Sequence, residues 1–167
     1  WPACATHRGL MAAVMAALPG VIVAGDQTEP VYAANQFHQS TQPRSFFNSS
    51  TGYGTLGYGL PAAFGAKLGA PDRPAVCLIG DGGFQFSLPE LASAVEAKIG
   101  AAVIVWNNAS YGEIKAFMTE KSIPQIGVDI FTPDLVALAR AMGCAASQPA
   151  TLSELTAELK ASAAREV

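Results

Sequence analysis

The chain has 167 residues, half of them hydrophobic and only 14% charged, with a net charge of −3 at pH 7 and a mean hydropathy of +0.28. That length suits one domain with a sizeable core, while the acidic balance and the lack of any Lys/Arg cluster exclude a nucleic-acid backbone binder. No run reaches the roughly 18 apolar residues of a membrane span, and thin charge cover predicts that part of the surface meets another domain or subunit.

Taken in chain order, Thr6 is placed to cap a helix over 7–18. The following "GLMAAVMAALPGVIVAG" resembles the apolar region of a signal peptide, but there is no initiator Met and Pro19-Gly20 cuts the run, so a helix and then a strand at 21–24 are predicted. The start on Trp1 suggests a piece cut from a longer chain. "SFFNSS" reads as a short strand and "LPAAFGAKLG" as a helix with Pro61 in its first turn. "AVCLIG" is strand-like; "SLPELASAVEAK" reads as a helix with Ser87 as cap and Glu90 three residues on. "AAVIVWNN" is a further strand, followed by helices near 112–120, 132–142 (capped by Thr132) and 151–165 (capped by Thr151). Continuous apolar strands separated by helices predict an α/β fold, a three-layer parallel sheet with helices on both faces, in a single domain over 1–167.

The pattern "VCLIGDGGF" raises a specific question, because an apolar strand ends in an acid whose burial unpaired would be costly. Residues 75–108 form a strand–helix–strand unit with a right-handed crossover, so its two strands run parallel and end at one edge of the sheet. Gly80-Asp81-Gly82 and Asn107-Asn108 then lie together where open α/β sheets bind ligands. One carboxylate with amide oxygens is hard ligation, suited to Mg²⁺ or Ca²⁺ and poor for zinc. The flanking glycines permit close backbone approach, and helix starts after both loops aim N–H groups at an anion. A diphosphate held through a divalent ion is the chemical reading. The three cysteines (Cys4, Cys77, Cys144) are odd in number, far apart and without metal spacing, which fits a reducing cytoplasm.

"GDG", 24 intervening residues and "NN", preceded by "GYGTLGYGLPAAFGAKLGA", resembles the thiamine diphosphate (ThDP) motif of acetolactate synthase, pyruvate decarboxylase and their relatives. The resemblance covers nearly the whole chain and corresponds to the diphosphate-binding (PP) domain of that family. It implies that Asp81 and Asn108 would supply side-chain oxygens to Mg²⁺, with the backbone carbonyl of Ser110 as a third ligand. Gly82 and Gly83, with the Tyr111-Gly112 turn, would contact the diphosphate. Leu56 would wedge the cofactor into its bent form, and the Gly54 carbonyl would hold its 4′-amino group. The principal catalytic glutamate would lie on an absent PYR domain of the same or a partner subunit. Chemistry would then be decarboxylation of a 2-oxo acid, or carboligation, in a cytoplasmic homodimer or homotetramer. The family would also add a strand after Val167, and with the PYR domain and that strand both absent the piece is expected to be inactive alone. A separate PP subunit of a two-chain decarboxylase, and a binding module without chemistry, are the other readings.

Several residues have plainer readings. Gly52 to Gly57 fits G-x-G-x-x-G, but the preceding strand is short and polar and Asp72 sits in a loop, which disfavours a dinucleotide site. His7 is expected in a solvated first turn and His38 in a loop. Trp106 is expected in the strand core, Asn107 as a strand-end cap or a cofactor contact, and Glu154, Glu158, Lys160 and Arg165 on the wet face of the last helix. Glu113 opens the helix after the metal loop and is nominated for the substrate pocket. In place of the Gln-His pair of the acetolactate synthase branch, Glu29-Pro30 stands in "GDQTEPVYAAN". That stretch, with "NNASYGEIKAFM", more closely resembles the branch that decarboxylates 5-guanidino-2-oxopentanoate (2-ketoarginine), whose guanidinium Glu113 would suit.

Overall fold

The computed structural model describes residues 4–163. Four strands, β1 (Ile22–Gly25), β2 (Phe46–Asn48), β3 (Ala75–Gly80) and β4 (Ala102–Trp106), form one sheet in the order β2-β1-β3-β4. Every pairing is parallel, with Val23 opposite both Phe46 and Val76, and Cys77 opposite Val103. Among the described residues eight helices connect and cover them: α1 (Cys4–Ala17), α2 (Glu29–Phe37), α3 (Gly59–Gly69), α4 (Asp81–Ser87), α5 (Glu90–Glu96), α6 (Gly112–Glu120), α7 (Leu135–Ala141) and α8 (Leu152–Ala163).

The alternation of β3 builds the three layers. Val76 and Leu78 point into a core with Leu10, Val14, Val31 and Leu159, from α1, α2 and α8. Cys77 and Ile79 point the other way, onto Leu60, Phe64, Phe84 and Leu91 from α3, α4 and α5. Both faces of the strand are dry, so all six of its residues are buried. β4 is an edge strand and half-buried along its length. Among the described residues no helix is long and apolar enough to cross a membrane.

Some local expectations are corrected. α2 was not anticipated, although Thr28 takes the extended conformation of an N-cap, with Glu29 and Pro30 in the first turn. Its buried stripe is mostly small (Val31, Ala33, Ala34), a weak apolar signal. α1 already includes Cys4, so Thr6 lies inside it rather than capping it. α4 follows β3 directly, despite two glycines that disfavour helix. A side chain at Gly83 would meet Asp26 Oδ1 at 2.5 Å, so packing requires the glycine that propensity penalises. Ser87 ends α4 instead of capping α5, and its buried hydroxyl has no hydrogen-bond partner. α7 is capped by Asp134, which accepts from Ala137 N at 2.9 Å, and not by Thr132. Thr151 does cap α8, accepting from Glu154 N at 3.1 Å. Glu154, Glu158 and Lys160 are exposed as expected, while Arg165 lies outside the described residues.

Candidate cofactor site

The parallel pairing of Gly80 with Trp106 brings the ends of β3 and β4 side by side, so Asp81 and Asn107-Asn108 emerge at one edge. A cleft of about 240 Å³ opens there. Gly54, Leu56, Asp81, Gly82, Gly83, Asn108, Ser110, Tyr111, Gly112 and Glu113, the residues nominated from sequence, all line it. Leu56 is half-buried on the cleft wall and does not belong to either hydrophobic core. Gly54, at φ 66°, holds a left-handed conformation that a side chain would strain. The Gly52–Gly57 stretch does not pass directly from strand to helix, since a 3₁₀ turn at Ser49–Thr51 follows β2 and α3 starts only at Gly59.

Asp81 is 1% exposed and opens α4, where the helix N-terminus favours a negative charge. Its Oδ2 accepts a hydrogen bond from Thr132 Oγ1 at 2.7 Å. Asn107 Oδ1 accepts from Ala109 N at 3.1 Å, the strand-end cap expected of it, and Asn108 Oδ1 accepts from Ser110 N at 3.2 Å. Among the described residues no group of three or more His, Cys, Asp or Glu could hold a metal ion. The described residues that line the cleft include no His or Cys, so the side-chain donors they offer are oxygens and amide groups. One buried carboxylate, one carboxamide oxygen and one backbone carbonyl do fit a hard cation that keeps positions open for phosphate oxygens.

Residues behind the cleft and on its other walls were missed from sequence. Asp26, at the end of β1, is fully buried, and accepts from Gln27 N at 2.9 Å and from Gly59 N, at the start of α3, at 2.7 Å. It occupies on β1 the place that Asp81 has on β3, so the same reasoning about an acid at a strand's carboxyl end could have found it. Gln27 Nε2 donates to Ser49 Oγ at 2.8 Å, and Ser49 Oγ donates to the Thr55 carbonyl at 3.0 Å. This chain of bonds holds the loop that carries Gly54 and Leu56. Asp26→Ala would orphan the Gly59 amide, and a loss of about 1–3 kcal/mol is expected in denaturant unfolding.

Glu29 lines the cleft from the start of α2. Its Oε2 accepts from Trp106 Nε1 at 3.0 Å and lies 3.8 Å from His7 Nε2, and the rings of His7 and Trp106 meet edge to face at 4.9 Å. His7 is 4% exposed, not solvated, because α1 turns it inward. Tyr32 also lines the cleft; burial pushes its phenol up to about 12, with Glu113, Asp26 and Glu29 adding to the shift. It is thus a neutral hydrogen-bond donor at physiological pH. Among the described residues no Lys, Arg or His lines this cleft.

A model of the thiamine pyrophosphate enzyme C-terminal binding domain matches residues 26–167, most of the chain and all of the cleft. The chain belongs to the thiamine pyrophosphate enzyme family. (Thiamine pyrophosphate and ThDP are the same molecule.) The probable 2-ketoarginine decarboxylase AruI of Pseudomonas aeruginosa is 45% identical over 162 residues, 96% of this chain and 29% of that protein. Benzoylformate decarboxylase of the same organism is 35% identical over 136 residues, 81% of this chain and 25% of that protein. The solved ThDP-dependent 4-hydroxybenzoylformate decarboxylase of Rhodococcus jostii RHA1 superposes with a TM-score of 0.83 at 30% identity, covering 95% of this chain and 30% of that one. The chain thus spans under a third of the length of these relatives. The three-layer parallel fold and the ThDP-binding character of the domain stand as the sequence implied.

Proposed function

We propose that this domain is the diphosphate-binding half of a ThDP- and Mg²⁺-dependent 2-oxo acid decarboxylase, working as one domain of a longer chain. The observation that carries the reading is the meeting of Asp81 with the Asn108–Ser110 loop in a cleft whose described residues include no basic side chain. The described residues lining the cleft offer a diphosphate no lysine or arginine, and a divalent cation held by Asp81, Asn108 and the Ser110 carbonyl would supply the charge. Backbone at Gly82-Gly83 and Tyr111-Gly112 would receive the diphosphate. Bound ThDP supplies the electron sink for loss of CO₂, while this chain binds, orients and shields it. Exposed Tyr53, Phe86, Ile114, Phe117 and Phe131 lie on segments that frame the cleft. An apolar rim of that kind suits docking of a PYR domain, from the same or a partner subunit of a cytoplasmic homo-oligomer, which would bring the principal catalytic glutamate.

For the substrate, the 45% identity to a 2-ketoarginine decarboxylase agrees with the cleft's own charge. Glu29 and Glu113 remain after the cation site has used Asp81, and both lie close enough to Tyr32 to raise its pKa. A 2-oxo acid with a cationic tail, 5-guanidino-2-oxopentanoate, is the match. In the full-length enzyme, CO₂ release from this substrate is expected to exceed that from benzoylformate and pyruvate. Glu113 is exposed, so Glu113→Gln should raise KM for the guanidino acid only about two- to fivefold, leaving kcat and the neutral substrates nearly unchanged. Equal effects on charged and neutral substrates would remove Glu113 from the pocket. Acetolactate formed from pyruvate would instead assign an acetolactate synthase-like carboligase.

A further inference from the structure

Residues 128–132 lie in a stretch without regular secondary structure, yet they bind the candidate site from outside. Tyr111 N donates to the Val128 carbonyl at 2.8 Å and Ile130 N to the Ala109 carbonyl at 3.1 Å. Between these bonds Asp129 pairs antiparallel with Ser110. The segment is therefore a strap laid along the Asn108–Gly112 loop. Its far end reaches the other half of the site, where Gln85 Nε2 donates to the Phe131 carbonyl at 3.3 Å and Thr132 Oγ1 donates to Asp81 Oδ2 at 2.7 Å.

We propose that Thr132 is a positioning residue for the metal centre, fixing the buried Asp81 carboxylate so that one oxygen remains for the cation. The inference rests on Asp81 being a metal ligand, as proposed above. A carboxylate that pivots freely would present either oxygen, or both, to an ion. With Oδ2 engaged by the hydroxyl, the plane of the carboxylate is held in one orientation and Oδ1 is left to face a cation. Partners behind a ligand orient it and tune its affinity, and their loss typically costs 10–100-fold in metal binding. The same strap holds the Ser110 region by backbone bonds, so both halves of the oxygen set are referenced to one segment. The residue is not free to serve as a helix cap, because Asp134 fills that role for α7.

The test is Mg²⁺ titration of the full-length enzyme at saturating ThDP, followed by calorimetry, with circular dichroism of the metal-free protein. Thr132→Val, close to isosteric, should weaken Mg²⁺ binding roughly 10- to 100-fold, because the lost bond is to a charged group. Thr132→Ser, which keeps the hydroxyl, should stay within a factor of about three of wild type. Metal-free Thr132→Val should still fold but melt somewhat lower, because a buried carboxylate loses its hydroxyl donor, while Thr132→Ser should melt like wild type. Normal Mg²⁺ affinity in Thr132→Val would overturn the proposal, as would a Thr132→Ser protein as weak as the valine variant. A valine variant that does not fold would also overturn it, since that would make Thr132 part of the fold. Asp81→Ala is the control that separates the two readings. If it abolishes Mg²⁺ binding while Thr132→Val is normal, only the role of Thr132 fails; if it binds normally, the ligand assignment fails with it.

Discussion

Asp81→Ala is expected to abolish Mg²⁺-dependent ThDP binding in the full-length enzyme. Asp81 is the single carboxylate in the proposed oxygen set, and the described residues lining the cleft include no basic side chain to substitute for the cation it would hold. Without it, a diphosphate would enter beside Glu29 and Glu113 with its charge uncompensated, and like charges at close range are repelled. The effect should also appear as lost linkage. Wild-type protein at a hundredfold excess of ligand over Kd gains about 2.7 kcal/mol from binding. The variant should show no rise in melting temperature when Mg²⁺ and ThDP are added. In the metal-free state it should fold normally, because Asp81 is bound to one hydroxyl of a half-buried threonine that can turn to water. Asp81→Asn separates charge from shape and should behave almost like alanine. Calorimetry that finds near-normal ThDP affinity in Asp81→Ala would remove the metal assignment.

The layers of this domain were legible because they depend on short-range pattern. A six-residue apolar run such as Ala75–Gly80, bounded by polar turns and followed by helical spacing, has few other ways to be buried. The meeting of Asp81 with Asn107-Asn108 was legible too, since parallel strands joined by a right-handed crossover must end at the same edge. What could not be read were side chains whose partners are distant in sequence. Thr132 before Pro133 looks locally like the start of a helix. Its bond to Asp81, 51 residues earlier, exists only once the strap has folded back. His7 appeared to sit in a wet first turn, but the packing of α1 against α2 places it beside Glu29 and Trp106. Trp106 was expected simply to fill the strand core; it is half-buried and its indole N–H orients Glu29. α2 escaped notice because its buried stripe relies on alanines, which pack well against a sheet but give little periodic signal.

Leu56→Ala is expected to leave ThDP bound but to slow hydrogen exchange at its C2 carbon on the order of 100-fold. The side chain lies on the cleft wall, half-buried, in a loop tied through Gln27, Ser49 and Thr55. That placement already weakens the alternative that it is ordinary core. A fully buried leucine truncated to alanine costs roughly 2–5 kcal/mol through the cavity it leaves. A residue with one side open to the cleft should cost less, because water can fill the space. If Leu56 instead props the bound cofactor into its bent form, truncation leaves the diphosphate and cation contacts untouched. The bend relaxes, and the 4′-nitrogen loses its aim at C2. Misplacement of about an ångström is enough for a hundredfold loss in rate. Exchange of C2–H with deuterated solvent, measured by quenched proton NMR on full-length wild type and variant, reads this step without the substrate. Thermal melting in the same samples reads the packing cost separately. An unchanged exchange rate beside a lowered melting temperature would mean that Leu56 packs the loop and does not shape the cofactor.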